Sequence, residues 1–204
     1  MPPHLSDTWL EQNGHHVRRV TFLQDLPKYP NFFNVCPHIT DLTAYRIDLS
    51  GLVRTTISKL PLRRITADID SFEVIETPKS WNQIHGLAEL PQLTHFAFPE
   101  GPFIRHIRDE DSKPSKIAQE ILRNCRRLKL VVLIRKDDDD WDQQDEANPS
   151  VLPFECDDPR MVAIQRSSDL WSGVPRERDA WVIAEEMVQR NLELSEGWSQ
   201  SNAT

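Results

Sequence analysis

The 204-residue chain has only three cysteines and six glycines, and each scarcity narrows what it can be. Cys36, Cys125 and Cys156 are odd in number and far apart, with no CxxC pair. Neither a disulfide framework nor a metal-ligand spacing can be drawn from them. Gly14, Gly51, Gly86, Gly101, Gly173 and Gly197 stand alone, which leaves no glycine-rich loop to cradle a phosphate. A nucleophile elbow, a Walker loop, a dinucleotide fingerprint and an HExxH zinc helix are all missing. No stretch approaches the ~20 apolar residues of a membrane helix, and residues 1–10 lack the apolar core of a signal peptide. Positive charge is short as well, and the net charge of -8 argues against a general nucleic-acid binder, which must neutralise phosphates. The expectation is a non-catalytic protein of the cytoplasm or nucleus, with no cofactor, no metal, no nucleic-acid partner and no membrane.

What the chain does have is a recurring phrase. Five segments share an L-x-x-L-x-L-like spacing: Val17-x-x-Val20-x-Phe22, Ile39-x-x-Leu42-x-Ala44, Leu62-x-x-Ile65-x-Ala67, Leu93-x-x-Phe96-x-Phe98 and Leu128-x-x-Val131-x-Leu133. Met161 to Ile164 reads as a sixth, strand-like remnant. The intervals between starts lengthen from 22 to 35 residues along the chain; the first fall within the ~20–29 of a leucine-rich repeat and the later ones exceed it. Leu52 to Leu60, Trp81 to Leu90 and Ser115 to Cys125 read as short helices, the last with Ile117, Ala118, Ile121 and Leu122 on one face. Cys36-Pro37, Leu60-Pro61, Leu90-Pro91 and Asn124-Cys125 stop the intervals, because proline and the residue before it resist helical geometry. A helix–turn–strand unit cannot bury its apolar face alone, so stacked units predict an α/β fold: an irregular solenoid with a parallel sheet of five or six strands and helices on one face. An ordinary α/β domain whose strands recur by chance is the alternative.

The phrases Val35-Cys36-Pro37-His38-Ile39-Thr40-Asp41-Leu42, Leu90-Pro91-Gln92-Leu93-Thr94-His95-Phe96 and Asn124 to Val131 resemble the helix-end-to-strand phrase of F-box/leucine-rich-repeat proteins, in particular the F-box-like families of fungi. The resemblance covers about residues 15 to 190. It implies a protein-binding scaffold with an unknown protein partner, or alternatively the substrate-recognition part of a ubiquitin-ligase adaptor. Those relatives recruit the Skp1 adaptor through an N-terminal F-box. The first phrase begins at Val17 and leaves no space for one, so Skp1 binding is not expected.

The expected layout is an N-terminal tail over 1–14, a repeat domain over 15–136, an acidic linker over 137–150, a last strand and capping helix over 151–194, and a disordered tail over 195–204. The acidic run from Asp137 to Glu146 has no basic residue; it also lacks the central Gly of an EF-hand loop, so it reads as solvated linker. Asp179 to Leu194 reads as a helix with Trp181, Ala184, Met187, Val188 and Leu192 on one face, expected to cap the last repeat. Residues between the apolar ones face away from the helices. They form one row of Arg19, Asp41, Arg64, His95 and Leu130, a second of Thr21, Thr43, Thr66, Ala97 and Val132, and a third of Leu23, Tyr45, Asp68, Pro99 and Ile134. Such alternating charge can serve register and solubility, or it can form a recognition surface. The candidate protein-binding residues are Arg19, Asp41, Tyr45, Arg64, Asp68 and His95. Leu130, Val132 and Ile134 alternate with Val131 and Leu133, so that strand is apolar on both sides and needs cover, from the Pro153-Phe154 stretch and the C-terminal segment or from a partner. His95 beside Asp41 or Asp68 is the nearest approach to an acid–base group; no catalytic residue is assigned, and an unrecognised small enzyme is the third alternative, after the scaffold and the adaptor.

Overall fold

Each phrase becomes a short strand because its apolar residues alternate at period two and a turn precedes it. The computed structural model describes residues 7–22, 32–44, 56–67, 85–99, 114–135, 158–165 and 180–201. Six strands follow in order: β1 (Arg19–Phe22), β2 (Asp41–Ala44), β3 (Arg64–Ala67), β4 (His95–Pro99), β5 (Leu130–Arg135) and β6 (Met161–Gln165). They form one open parallel sheet whose spatial order equals their sequence order. Parallel neighbours need a crossover between them. The described helices are α1 (Asp7–Asn13), α2 (Phe32–Val35), α3 (His85–Ala88), α4 (Pro114–Asn124) and α5 (Ala180–Ser201), with 3-10 turns at Gly14–His16 and Ile57–Lys59.

The fold class is therefore α/β with a parallel six-stranded sheet, and several finer expectations change. β6 is no remnant: all five of its residues pair with β5, from Val131↔Met161 to Arg135↔Gln165. Part of the supposed N-terminal tail is helix α1, which buries Leu10 and leads into buried Gly14. The supposed C-terminal tail is helical as far as Ser201, so α5 runs for 22 residues. Within the helix expected over 52–60, residues 57–59 form only a 3-10 turn, ahead of which Thr56 lies outside helical geometry at φ -129°. Among the described residues of the helix expected over 81–90, His85–Ala88 form α3, and α4 matches its expected span to within a residue at each end. The acidic linker and Pro153-Phe154 lie outside the described residues.

The chain divides into two compact units, one of Met1–Phe96 with Asn124–Arg127 and one of Ala97–Arg123 with Leu128–Thr204. In the first, the leading apolar residues of the phrases, Ile39, Leu62 and Leu93, are buried beside Leu42, Ile65 and Phe96. A side chain of this size contributes about 1.5–3 kcal/mol when fully buried, against the conformational entropy lost on ordering. Phe22, Phe32 and Phe33 meet edge to face at centroid distances of 5.4–6.1 Å, tying the end of β1 to α2. Cys36 and Cys125 are free and buried, packing as small apolar residues. Burial raises both thiols, that of Cys125 to about 11, so neither is a thiolate near neutral pH.

In the second unit, α4 buries Ile117, Ala118, Ile121 and Leu122. None of these four belongs to the cluster that α5 forms with the sheet. That cluster joins Leu130, Val132 and Ile134 of β5 and Val162 and Ile164 of β6 to Ala180, Trp181 and Ala184 of α5, with Met187 and Val188 packed against it. So α5 lies over one sheet face; it is not a cap at the end of a stack. The apolar strand β5 gets its cover from the chain itself.

The turn before β6 is held by a charged clamp. Asp158 Oδ2 accepts from Arg160 Nη2 at 2.7 Å, Asp158 Oδ1 accepts from Arg160 Nε at 3.0 Å, and Arg160 Nη1 donates to the Leu128 carbonyl at 3.2 Å. The side-chain bond from Arg160 is the main cause that lowers the Asp158 pKa. A depressed carboxylate stabilises the fold above its unfolded pKa of ~3.9, and loses that contribution as pH falls through the lower folded value. Acid unfolding followed by circular dichroism should therefore begin at a higher pH for Asp158→Asn, which lacks that charge, only if the clamp is set in the folded state. The expected result is a stability deficit for the variant at neutral pH that narrows towards strong acid.

Candidate functional site

The strands start in a repeated manner. The Arg18 carbonyl accepts from both the Thr40 and Asp41 N–H groups at 2.8 and 3.1 Å; the Thr40 carbonyl does the same with Arg63 and Arg64, at the same two distances. The Arg63 carbonyl in turn accepts from Thr94 and His95, each at 3.0 Å. This forked acceptance carries one register across four strands, so Arg18, Thr40, Arg63 and Thr94 hold equivalent places and the next residues do too. Pairing of Arg19↔Asp41 and Asp41↔Arg64 follows, along with Thr21↔Thr43 and Thr43↔Thr66. The row of Arg19, Asp41, Arg64 and His95 expected from phrase spacing is thus brought together. Tyr45 and Asp68 lie outside the described residues.

Asp41 sits between two guanidinium groups. Its Oδ1 is 3.8 Å from Arg19 Nε and 3.7 Å from Arg64 Nη1. Both are ion-pair separations and too long for good hydrogen bonds. The Asp41 carboxylate has a closer partner on its own strand, since Thr40 Oγ1 donates to Oδ2 at 2.6 Å. His95 has the matching arrangement, with Thr94 Oγ1 2.7 Å from Nδ1. The Arg19 side chain is 66% exposed, against 25% for Arg64 and 20% for Asp41, so the row opens to solvent towards β1. The threonine row follows the same trend, from exposed Thr21 through half-buried Thr43 to Thr66 at 2% exposure.

Chemically this is a carboxylate fixed by a hydroxyl and flanked by cations, with a histidine one strand further on. It presents directional hydrogen bonds and one net positive charge. Pairs of this exposure contribute ~0.2–1 kcal/mol each to stability, which is too little to explain the row as a major support of the fold. The two threonine hydroxyls were not picked out from the sequence, although their recurrence as Thr40-Asp41 and Thr94-His95 in equivalent phrases was the available signal. Among the described residues no cluster of three or more His, Cys, Asp or Glu could hold a metal ion, and no helix is long and apolar enough to cross a membrane. Compared with known proteins, the chain matches no family model, no curated protein and no solved structure.

Proposed function

We propose that the chain is a non-catalytic protein-interaction module of leucine-rich-repeat type, which contacts its partner through the polar sheet face of β1 to β3 and the start of β4. The observation that carries this reading is the register that lines up Arg19, Asp41, Arg64 and His95 on successive strands. A row of fixed, partly exposed polar groups suits protein recognition, where charge sets specificity and rate of association. The forked strand start that recurs at β2, β3 and β4 supports a repeat architecture, because one local solution is used three times in sequence order.

The test is affinity capture with crosslinking, comparing wild type with Asp41→Lys and with Arg64→Glu. Asp41→Lys loses its two ion pairs and the Thr40 Oγ1 hydrogen bond, and Arg64→Glu loses the pair with Asp41; both positions are partly exposed, and the circular dichroism of each variant should match wild type. A partner held by wild type should bind each variant about tenfold more weakly or worse, the penalty for placing a like charge at a complementary interface. A partner retained at full strength by both folded variants would remove this face from the account.

A further inference from the structure

The first unit carries a second polar surface, one residue ahead of the sheet-face row. Arg18 and Arg63 stand at equivalent places where strands begin, with Thr40 between them and Thr94 beyond. Arg127 folds over the next corner, its Nη1 donating to the Pro91 carbonyl at 2.8 Å, and Arg126 precedes it in the same turn. All four arginines are exposed. Among the described residues none of the four is ion-paired to a carboxylate. Two of them are already aimed: Arg18 Nη1 donates to the His15 carbonyl at 3.0 Å, and Arg127 is held as described. Each such guanidinium keeps further N–H donors for a ligand. A chain with net charge -8 thus gathers on one rim of one unit four exposed arginines that have no carboxylate partner among the described residues.

We infer that this rim, at the amino ends of β1 to β4, is a docking site for an acidic segment of a partner protein. Strands lie ~4.8 Å apart, so Arg18 and Arg63 begin about 10 Å from each other, with Arg127 coming in one strand further on. A peptide in the polyproline II conformation advances ~3.1 Å per residue with three residues per turn, so carboxylates three residues apart share one face and match that spacing. A short acidic segment fits better than a nucleic acid. The rim spans only a few strands, and the overall negative charge of the chain repels a long polyanion. This surface differs from the sheet-face row, and it stands whether or not that row binds anything.

The probe is a fluorescein-labelled peptide with glutamate at every third position and serine elsewhere, titrated with the full chain and read by fluorescence anisotropy. Saturable binding is expected, weakening several-fold as salt shortens the screening length. Arg18→Glu with Arg63→Glu should reduce it by about tenfold or more, and adding Arg127→Glu should abolish it. Arg18→Glu and Arg127→Glu each also remove a bond to a backbone carbonyl, of His15 and of Pro91, so the double variant, which loses one of the two, is the deciding one once its circular dichroism and melting are seen to match wild type. Arg190→Glu, an equal charge reversal at an exposed position of α5, should leave peptide binding within about twofold. Unchanged binding by the folded double variant overturns the inference. So does tighter binding of a single-stranded oligonucleotide of equal charge, which would assign the rim to nucleic acid.

Discussion

Trp181→Ala is expected to destabilise the protein by about 3–5 kcal/mol and to lower its thermal midpoint by roughly 10 °C. Trp181 is only 8% exposed and belongs to the cluster that closes over Leu130, Val132, Ile134, Val162 and Ile164. Removing the indole leaves a cavity against β5 and β6, and α5 loses its largest anchor. The side chains beneath it, Leu130, Val132, Ile134, Val162 and Ile164, are apolar, so their exposure should be visible as new binding of an apolar fluorescent dye. Val182, the neighbouring residue, is 42% exposed; Val182→Ala should stay within about 0.5 kcal/mol of wild type. If both substitutions had equal small effects, α5 would not be the cover of β5.

Gly14→Val is expected to be the other severe change. A Cβ added at Gly14 would lie 2.4 Å from the Val35 carbonyl oxygen, 2.9 Å from the Val35 carbonyl carbon and 3.1 Å from Cys36 Sγ. Two of these neighbours are backbone atoms at the end of α2 and cannot rotate away. The turn Gly14–His16 must therefore lift from α2, at about 1–3 kcal/mol for the first methyl group and more for the branched side chain. Gly14→Ala should show the lower figure. The local reporter is Cys36, wholly buried in the native protein: its alkylation should accelerate in both variants, more in Gly14→Val. His15→Ala, at an exposed position of the same turn, should change neither stability nor Cys36 reactivity.

The sequence revealed the strands and their register because the helix-to-strand corner tolerates few solutions. An apolar residue must enter the core at Ile39, Leu62, Leu93 and Leu128, another must follow three residues later and a third two after that, and the turn ahead must stop a helix. The charged row was legible for the same reason: once Val20, Leu42 and Ile65 share a row, period-two alternation places Arg19, Asp41 and Arg64 together. α1 was hidden because Asp7–Asn13 buries only Leu10 among its described side chains, too little for a helical stripe to show. The C-terminal boundary was misplaced because Gly197 and the polar residues around it suggest an end, whereas the helix passes through Gly197 to Ser201. That β5 needs cover was readable from its two apolar faces. The C-terminal segment was one of the covers expected for it, and α5 does cover it; that α5 lies on the sheet face was not legible, since its stripe would suit the end of a stack as well. The contacts of Thr40 with Asp41 and of Thr94 with His95 depend on side-chain rotamers, which spacing does not encode.

The central functional claim concerns where a partner sits. A photo-crosslinking residue placed at Thr21, exposed beside Arg19 on β1, tests it most directly against the same residue at Val182 on the outer side of α5. With a partner recovered by affinity capture, irradiation should yield a covalent adduct from position 21 and none from position 182. An adduct formed only from position 182, with position 21 silent, would contradict the assignment of the polar sheet face as the binding surface.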